Sequence, residues 1–208
     1  MSGCSAGGVD ALRQIARGLP DDLEAPVLVV LHIPSDAPSL LAQILSRATE
    51  LRVKEAEDGE PLRNGVIYCA VPDRQLLVEP DGTLRVVRGR SENRHCPAVD
   101  PLFRSAAVAY GRHAIGVVLT GTLDDGTAGL LALRNRGGVA VVQDPMDAMY
   151  PSMPQSAIDQ VNVDHVVPLA GMAELLVTLV STPPPRAHDG DGDPDTRDFA
   201  GQPELAIR

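Results

Sequence analysis

The sequence contains no tryptophan, and aromatic residues make up only 2% of it. Its core must therefore be built from Val, Leu, Ile and Ala. Cysteine is also scarce: Cys4, Cys69 and Cys96 are odd in number and widely spaced, with no CxxC pair. That excludes a disulfide framework and a zinc cluster, and points to a reducing compartment. No run of apolar residues approaches the length of a membrane span, so membrane insertion is not expected. The N-terminus has no basic stretch followed by an apolar one, as a signal peptide would. The expected location is the cytoplasm. Basic residues are outnumbered, 18 against 28 acidic, for a net charge of −10. Nucleic-acid binding depends on Lys and Arg neutralising phosphates, so no nucleic-acid partner is expected. No His, Cys or carboxylate spacing suits a metal, and neither metal nor cofactor is expected.

What is present is a 44% hydrophobic chain of 208 residues with a regular alternation. Apolar runs at Val27–Leu31, Ile115–Leu119 and Val139–Val142 read as buried parallel strands, which are apolar throughout. Helical periodicity separates them, over 8–18, from Pro38 or Ser39 onward with Leu40 and Leu41 inward, and over 99–110, 127–136, 153–160 and 171–180. Shorter strand-like runs occur at 51–55, 66–70, 75–79, 84–87 and 165–168. Asp81-Gly82 lies between two of them and marks a hairpin. Strand–helix repetition of this kind predicts an α/β fold, a three-layer doubly wound mostly parallel sheet with an inserted antiparallel hairpin. The domain is expected to span 1–181. From Pro183-Pro184-Pro185 onward the composition turns to Asp, Gly and Pro, so 182–208 reads as a disordered tail.

Three segments fall at strand ends or helix starts: Gly3-Cys4-Ser5-Ala6-Gly7-Gly8, His32, and Thr120-Gly121-Thr122-Leu123-Asp124-Asp125-Gly126. The strand C-termini of an open parallel sheet form its ligand crevice, where residues distant in sequence meet. Ser5 sits in a turn of small residues ahead of a helix. The helix N-terminus offers amides and a positive dipole end for an oxyanion. Taken alone, such a serine is more often a helix cap, and the turn alone would suit a phosphate, although the Walker lysine is missing. His32 can act as general base, and Asp125, or its neighbour Asp124, can orient the imidazole. Together the three read as a nucleophile, a base and an orienting acid.

These motifs resemble the catalytic domain of the CheB-type chemotaxis protein-glutamate methylesterases. The resemblance runs in order through Gly3–Leu12, His32-Ile33-Pro34, Ala56–Glu60, Gly65–Ala70, Asn93–Asp100, Leu119–Gly126 and Met153–Ile158. It covers about residues 1–180. It implies Ser5 as nucleophile, His32 as base and Asp125 as acid, with the amides of Ala6 and Thr122 in the oxyanion region. Arg94 and His95 would help shape the substrate cleft. The implied substrates are glutamate methyl esters on methyl-accepting chemoreceptor proteins of bacterial two-component signalling, with receptor glutamines as a second class. The family has an apolar strand just ahead of its glycine–serine turn. Here only Met1 and Ser2 precede Gly3, so the first strand is expected to be missing and no receiver domain is expected ahead of the catalytic part. The alternative is a catalytically impaired relative that binds a receptor or signalling partner through the same cleft.

Overall fold

The structure, a computed structural model, describes residues 6–32, 40–89, 92 and 96–182. Ser5, Arg94, His95 and the tail from Pro183 lie outside them. The chain runs α1 (Ala6–Gly18), β1 (Val27–Val29), α2 (Leu41–Ser46), β2 (Arg52–Glu55), β3 (Val66–Cys69), β4 (Gln75–Val78) and β5 (Leu84–Val87). It continues through α3 (Val99–Tyr110), a short 3-10 turn, β6 (Ile115–Val118), α4 (Thr127–Asn135), β7 (Val139–Gln143), α5 (Ser152–Gln160), β8 (His165–Val167) and α6 (Leu169–Ser181).

The layers follow from side-chain alternation along the strands. In β7, Val141 joins a core with Ile15 of α1, Leu41 and Leu45 of α2 and Met172 of α6. Its neighbours Ala140 and Val142 pack on the opposite face with Phe103 of α3, Leu130 of α4 and Ala157 of α5. β3 divides likewise, Ile67 and Cys69 to the first face, Val66 and Tyr68 to the second. A strand with both faces covered has no polar side, which explains the continuous apolar runs. The result is a helix–sheet–helix sandwich, the doubly wound α/β architecture the alternation predicts.

All pairings within the two main strand groups, β1-β3-β2 and β6-β7-β8, are parallel. β4 and β5 form the antiparallel hairpin. Gly82 at its turn has φ +81, a left-handed conformation that glycine adopts without a Cβ clash. Among the described residues, β1 and β6 do not pair with each other, so the parallel sheet is divided between them.

Element boundaries match the sequence expectation, as in β5 and α3, or differ from it by up to three residues. α2 begins at Leu41, and Leu40, expected to face inward, is 52% exposed. α6 begins at Leu169, directly after Pro168, because Pro168 holds the extended backbone of a helix N-cap (φ −64, ψ 153).

Candidate active site

His32 lies three residues beyond the end of β1, and Asp125 lies in the loop between β6 and α4. Parallel strands bring both to the same end of the sheet. His32 Nε2 and Asp125 Oδ2 are 2.7 Å apart, the imidazole partly open to solvent and the carboxylate fully buried. Asp125 also accepts from the backbone amides of Val99 (2.7 Å) and Asp100 (3.2 Å). These two amides open α3, and the first turn of a helix has donors without intrahelical partners. Asp125 therefore caps α3 from outside while it holds the histidine. Asp124, its competitor in the sequence, is exposed, and its carbonyl accepts the Thr127 amide to close the turn.

The loop can present Asp125 this way because Gly126 takes φ +96. A Cβ there would also stand 3.1 Å from Val99 Cγ1, so a side chain would be both strained and crowded. Asp100, buried beside it, accepts the amide of Gly129 at 2.6 Å and so ties α3 to α4. A Cβ on Gly129 would meet Phe103 Cβ at 2.7 Å and the Asp100 carbonyl at 2.8 Å, which explains a glycine inside α4.

Burial alone would push the Asp125 carboxyl up. The hydrogen bonds from His32 and from the amides of Val99 and Asp100 outweigh it and hold the group below its ordinary 3.8. A carboxylate depressed on folding adds stability that is fully present above its unfolded value and disappears as pH falls through the lower folded value. The melting temperature of the wild type should therefore fall more steeply than that of Asp125→Asn as pH drops from about 4 to about 2. Parallel curves for the two proteins would contradict the depressed carboxylate.

The neighbouring Thr120–Thr122 loop is held from β7. Gln143, fully buried, accepts the Thr120 amide on Oε1 (2.9 Å) and donates Nε2 to Asp147 Oδ2 (3.0 Å). Thr120 Oγ1 accepts the Tyr150 amide, and the Tyr150 carbonyl accepts the Gly121 amide. The Gly121 amide is thus engaged, whereas among the described residues no hydrogen bond engages the Thr122 amide. Replacing Gln143 with Leu strands the buried Thr120 amide, at a cost of about 1–3 kcal/mol. Each kcal/mol lowers the melting temperature of a domain this size by about 2–4 °C. A Gln143→Leu variant melting with the wild type would show that the glutamine does not hold this loop.

Sequence reasoning did not assign Gln143, Asp147 or Asp100. The signal for Gln143 was a polar residue closing the apolar run Val139–Val142, at the strand end facing the crevice. The cysteines offer no rival nucleophile among the described residues. Burial pushes the Cys69 thiol up to about 12, and also raises Cys96. Of the expected oxyanion residues, Ala6 is the first residue of α1 and Thr122 lies in the loop before Asp125. Ser5 directly precedes Ala6 in the chain.

The sequence profile of the CheB methylesterase family matches residues 1–176. The chain belongs to the CheB methylesterase family. A Leptospira interrogans protein, provisionally named a protein-glutamate methylesterase/protein-glutamine glutaminase, is 39% identical over 85% of this chain and 92% of its own length. The Escherichia coli protein-glutamate methylesterase/protein-glutamine glutaminase is 36% identical over 86% of this chain. The chain spans about half the length of that relative, 52% of it. The crystal structure of the Thermotoga maritima CheB methylesterase catalytic domain superposes with a TM-score of 0.79 at 35% identity, covering 83% of this chain and 93% of that one. No helix among the described residues is long and apolar enough to cross a membrane.

Proposed function

We propose that this chain is a serine hydrolase that demethylates glutamate methyl esters on methyl-accepting chemoreceptors in the cytoplasm, and deamidates receptor glutamines by the same chemistry. The observation that carries this reading is the buried Asp125 carboxylate bonded to His32 at the strand ends, beside the N-terminus of the helix that Ser5 precedes. Family membership supports it.

With Nε2 engaged by Asp125, the nitrogen that serves as base is Nδ1 of His32. It takes the Ser5 hydroxyl proton as Oγ attacks the ester carbonyl. The imidazolium that forms lies against the Asp125 carboxylate, which remains ionised. The amides of Ala6 and Thr122 face the developing oxyanion, aided by the dipole of α1. Collapse of the tetrahedral intermediate expels methanol, protonated by His32, and leaves an acyl-Ser5. Water, deprotonated by His32, then releases the glutamate carboxylate. For a glutamine the leaving group is ammonia. Arg94 and His95 belong to the substrate cleft in this reading.

The test is methanol release on incubation with methylated chemoreceptor. Turnover above the uncatalysed rate supports the proposal. Saturable receptor binding without methanol release would favour a non-catalytic relative instead.

A further inference from the structure

Two loops at the strand ends carry apolar side chains that the fold does not bury. The loop from β6 to α4 contains Leu123, and the loop from β7 to α5 contains Met146, Met149 and Tyr150. Nine large hydrophobic side chains stand exposed among the described residues, and these are four of them. Single apolar side chains on a surface are ordinary, but their concentration beside a crevice marks a contact surface.

Leu123 has a second peculiarity. Its backbone takes φ +69, in the left-handed region where a bulky side chain is an outlier. Such a conformation costs free energy and persists only where its surroundings impose it. Here the next two residues impose it. The Asp124 carbonyl accepts the Thr127 amide, and the Asp125 carboxylate is held by His32, Val99 and Asp100. Glycine or asparagine would take the same backbone at less cost. Burial does not offset the strain, because the Leu123 side chain is 48% exposed. The fold therefore gains little from a leucine here, and the gain lies with whatever covers it.

Met149 reaches the site from the second loop. A Cβ on Gly7 would stand 3.0 Å from Met149 Sδ and 3.1 Å from its Cβ. The Met149 side chain thus lies on the first turn of α1, at a residue two positions after Ser5 in the chain. It is nevertheless 63% exposed. The two loops are braced as one unit. Tyr150 donates its amide to Thr120 Oγ1 (2.8 Å), and its carbonyl accepts the Gly121 amide (2.9 Å). Leu123 directly follows Thr122, and Met149 packs on the turn that begins with Ala6. The two side chains therefore adjoin both amides assigned to the oxyanion. An ester carbonyl held by those amides brings the residues beside it against Leu123 and Met149. Leucine offers no hydrogen bond and methionine only a weak acceptor, so apolar side chains complement them. Asp124, exposed next to Leu123, adds a negative charge that opposes acidic neighbours.

We propose that Leu123 and Met149 are specificity-determining residues that select glutamyl esters flanked by apolar side chains. This selection rests on the esterase reading above and extends it to the residues beside the glutamate.

The test compares two capped peptides, Ala-Leu-Glu(OMe)-Leu-Ala and Ala-Ser-Glu(OMe)-Ser-Ala, as substrates of the full chain. Wild type should favour the leucine peptide by at least about tenfold in kcat/KM, the discrimination that an apolar contact supplies. In Leu123→Asn/Met149→Gln the preference should shrink to within about threefold. A ratio of two substrates on one protein cancels any general loss of activity. Should the double variant not fold, Leu123→Asn alone, which the left-handed backbone accommodates, should lower the preference at least about threefold. A wild type that treats both peptides alike, or a variant that keeps the full preference, would overturn the proposal. Binding of the same peptides to Ser5→Ala, followed by fluorescence anisotropy, reads the contact without turnover. Tighter binding of the leucine peptide, with no hydrolysis by wild type, would count against the esterase and for the contact. Equal binding with no hydrolysis would overturn both.

Discussion

Ser5→Ala is expected to lower kcat for methanol release from methylated receptor by about 10⁶-fold, to the level that binding and oxyanion stabilisation alone sustain. The size of the effect follows from the division of labour. Without the hydroxyl no acyl-enzyme forms, and His32 and Asp125 have no proton to manage. Receptor binding should be retained, because the lost group is small and reacts rather than anchors. Equal rates for Ser5→Ala and wild type, measured as methanol release under single-turnover conditions, would remove Ser5 from the mechanism.

Asp125→Asn should cost about 10⁴-fold in kcat with little change in KM. The asparagine can keep the Asp100 amide on its oxygen, in the place of Oδ1, while the Val99 bond is lost because Val99 and His32 share Oδ2. Its NH₂, however, donates to Nε2 of His32, where the carboxylate accepts. The imidazole proton then moves to Nδ1, the nitrogen assigned to take the serine proton, and the base is lost. The same exchange removes the negative charge that would stabilise the imidazolium. A variant with kcat within about tenfold of wild type would show that the 2.7 Å contact is structural only. The acid-stability comparison separates the two roles, since it follows the carboxylate's depressed pKa whether or not turnover occurs.

Much of this arrangement was legible in the sequence because its signals are local. Val27–Leu31 and Val139–Val142 announce buried parallel strands by having no polar side, and Asp81-Gly82 announces the hairpin. His32 and Asp125, which meet at 2.7 Å, became candidates because each follows such a run. The choice between Asp124 and Asp125 was not legible from the residues alone, and only the family resemblance pointed to Asp125. It depends on the amides of Val99 and Asp100, which reach the site from α3, some 25 positions away in the chain. Gln143 escaped for the same reason, since its partners Thr120 and Asp147 are brought to it by the β6–β7 pairing and the following loop. Leu40 was misplaced because helical periodicity does not say where the helix starts, and its solvent-facing position is set by that start at Leu41.

The central claim is that Ser5 is a nucleophile activated by His32. It is tested most directly by treating the full chain with a fluorophosphonate and mapping the adduct by mass spectrometry. The account predicts one adduct per chain, on Ser5, slowed at least about 100-fold in His32→Ala. An adduct on another residue, or labelling of Ser5 at the same rate in His32→Ala, would contradict it.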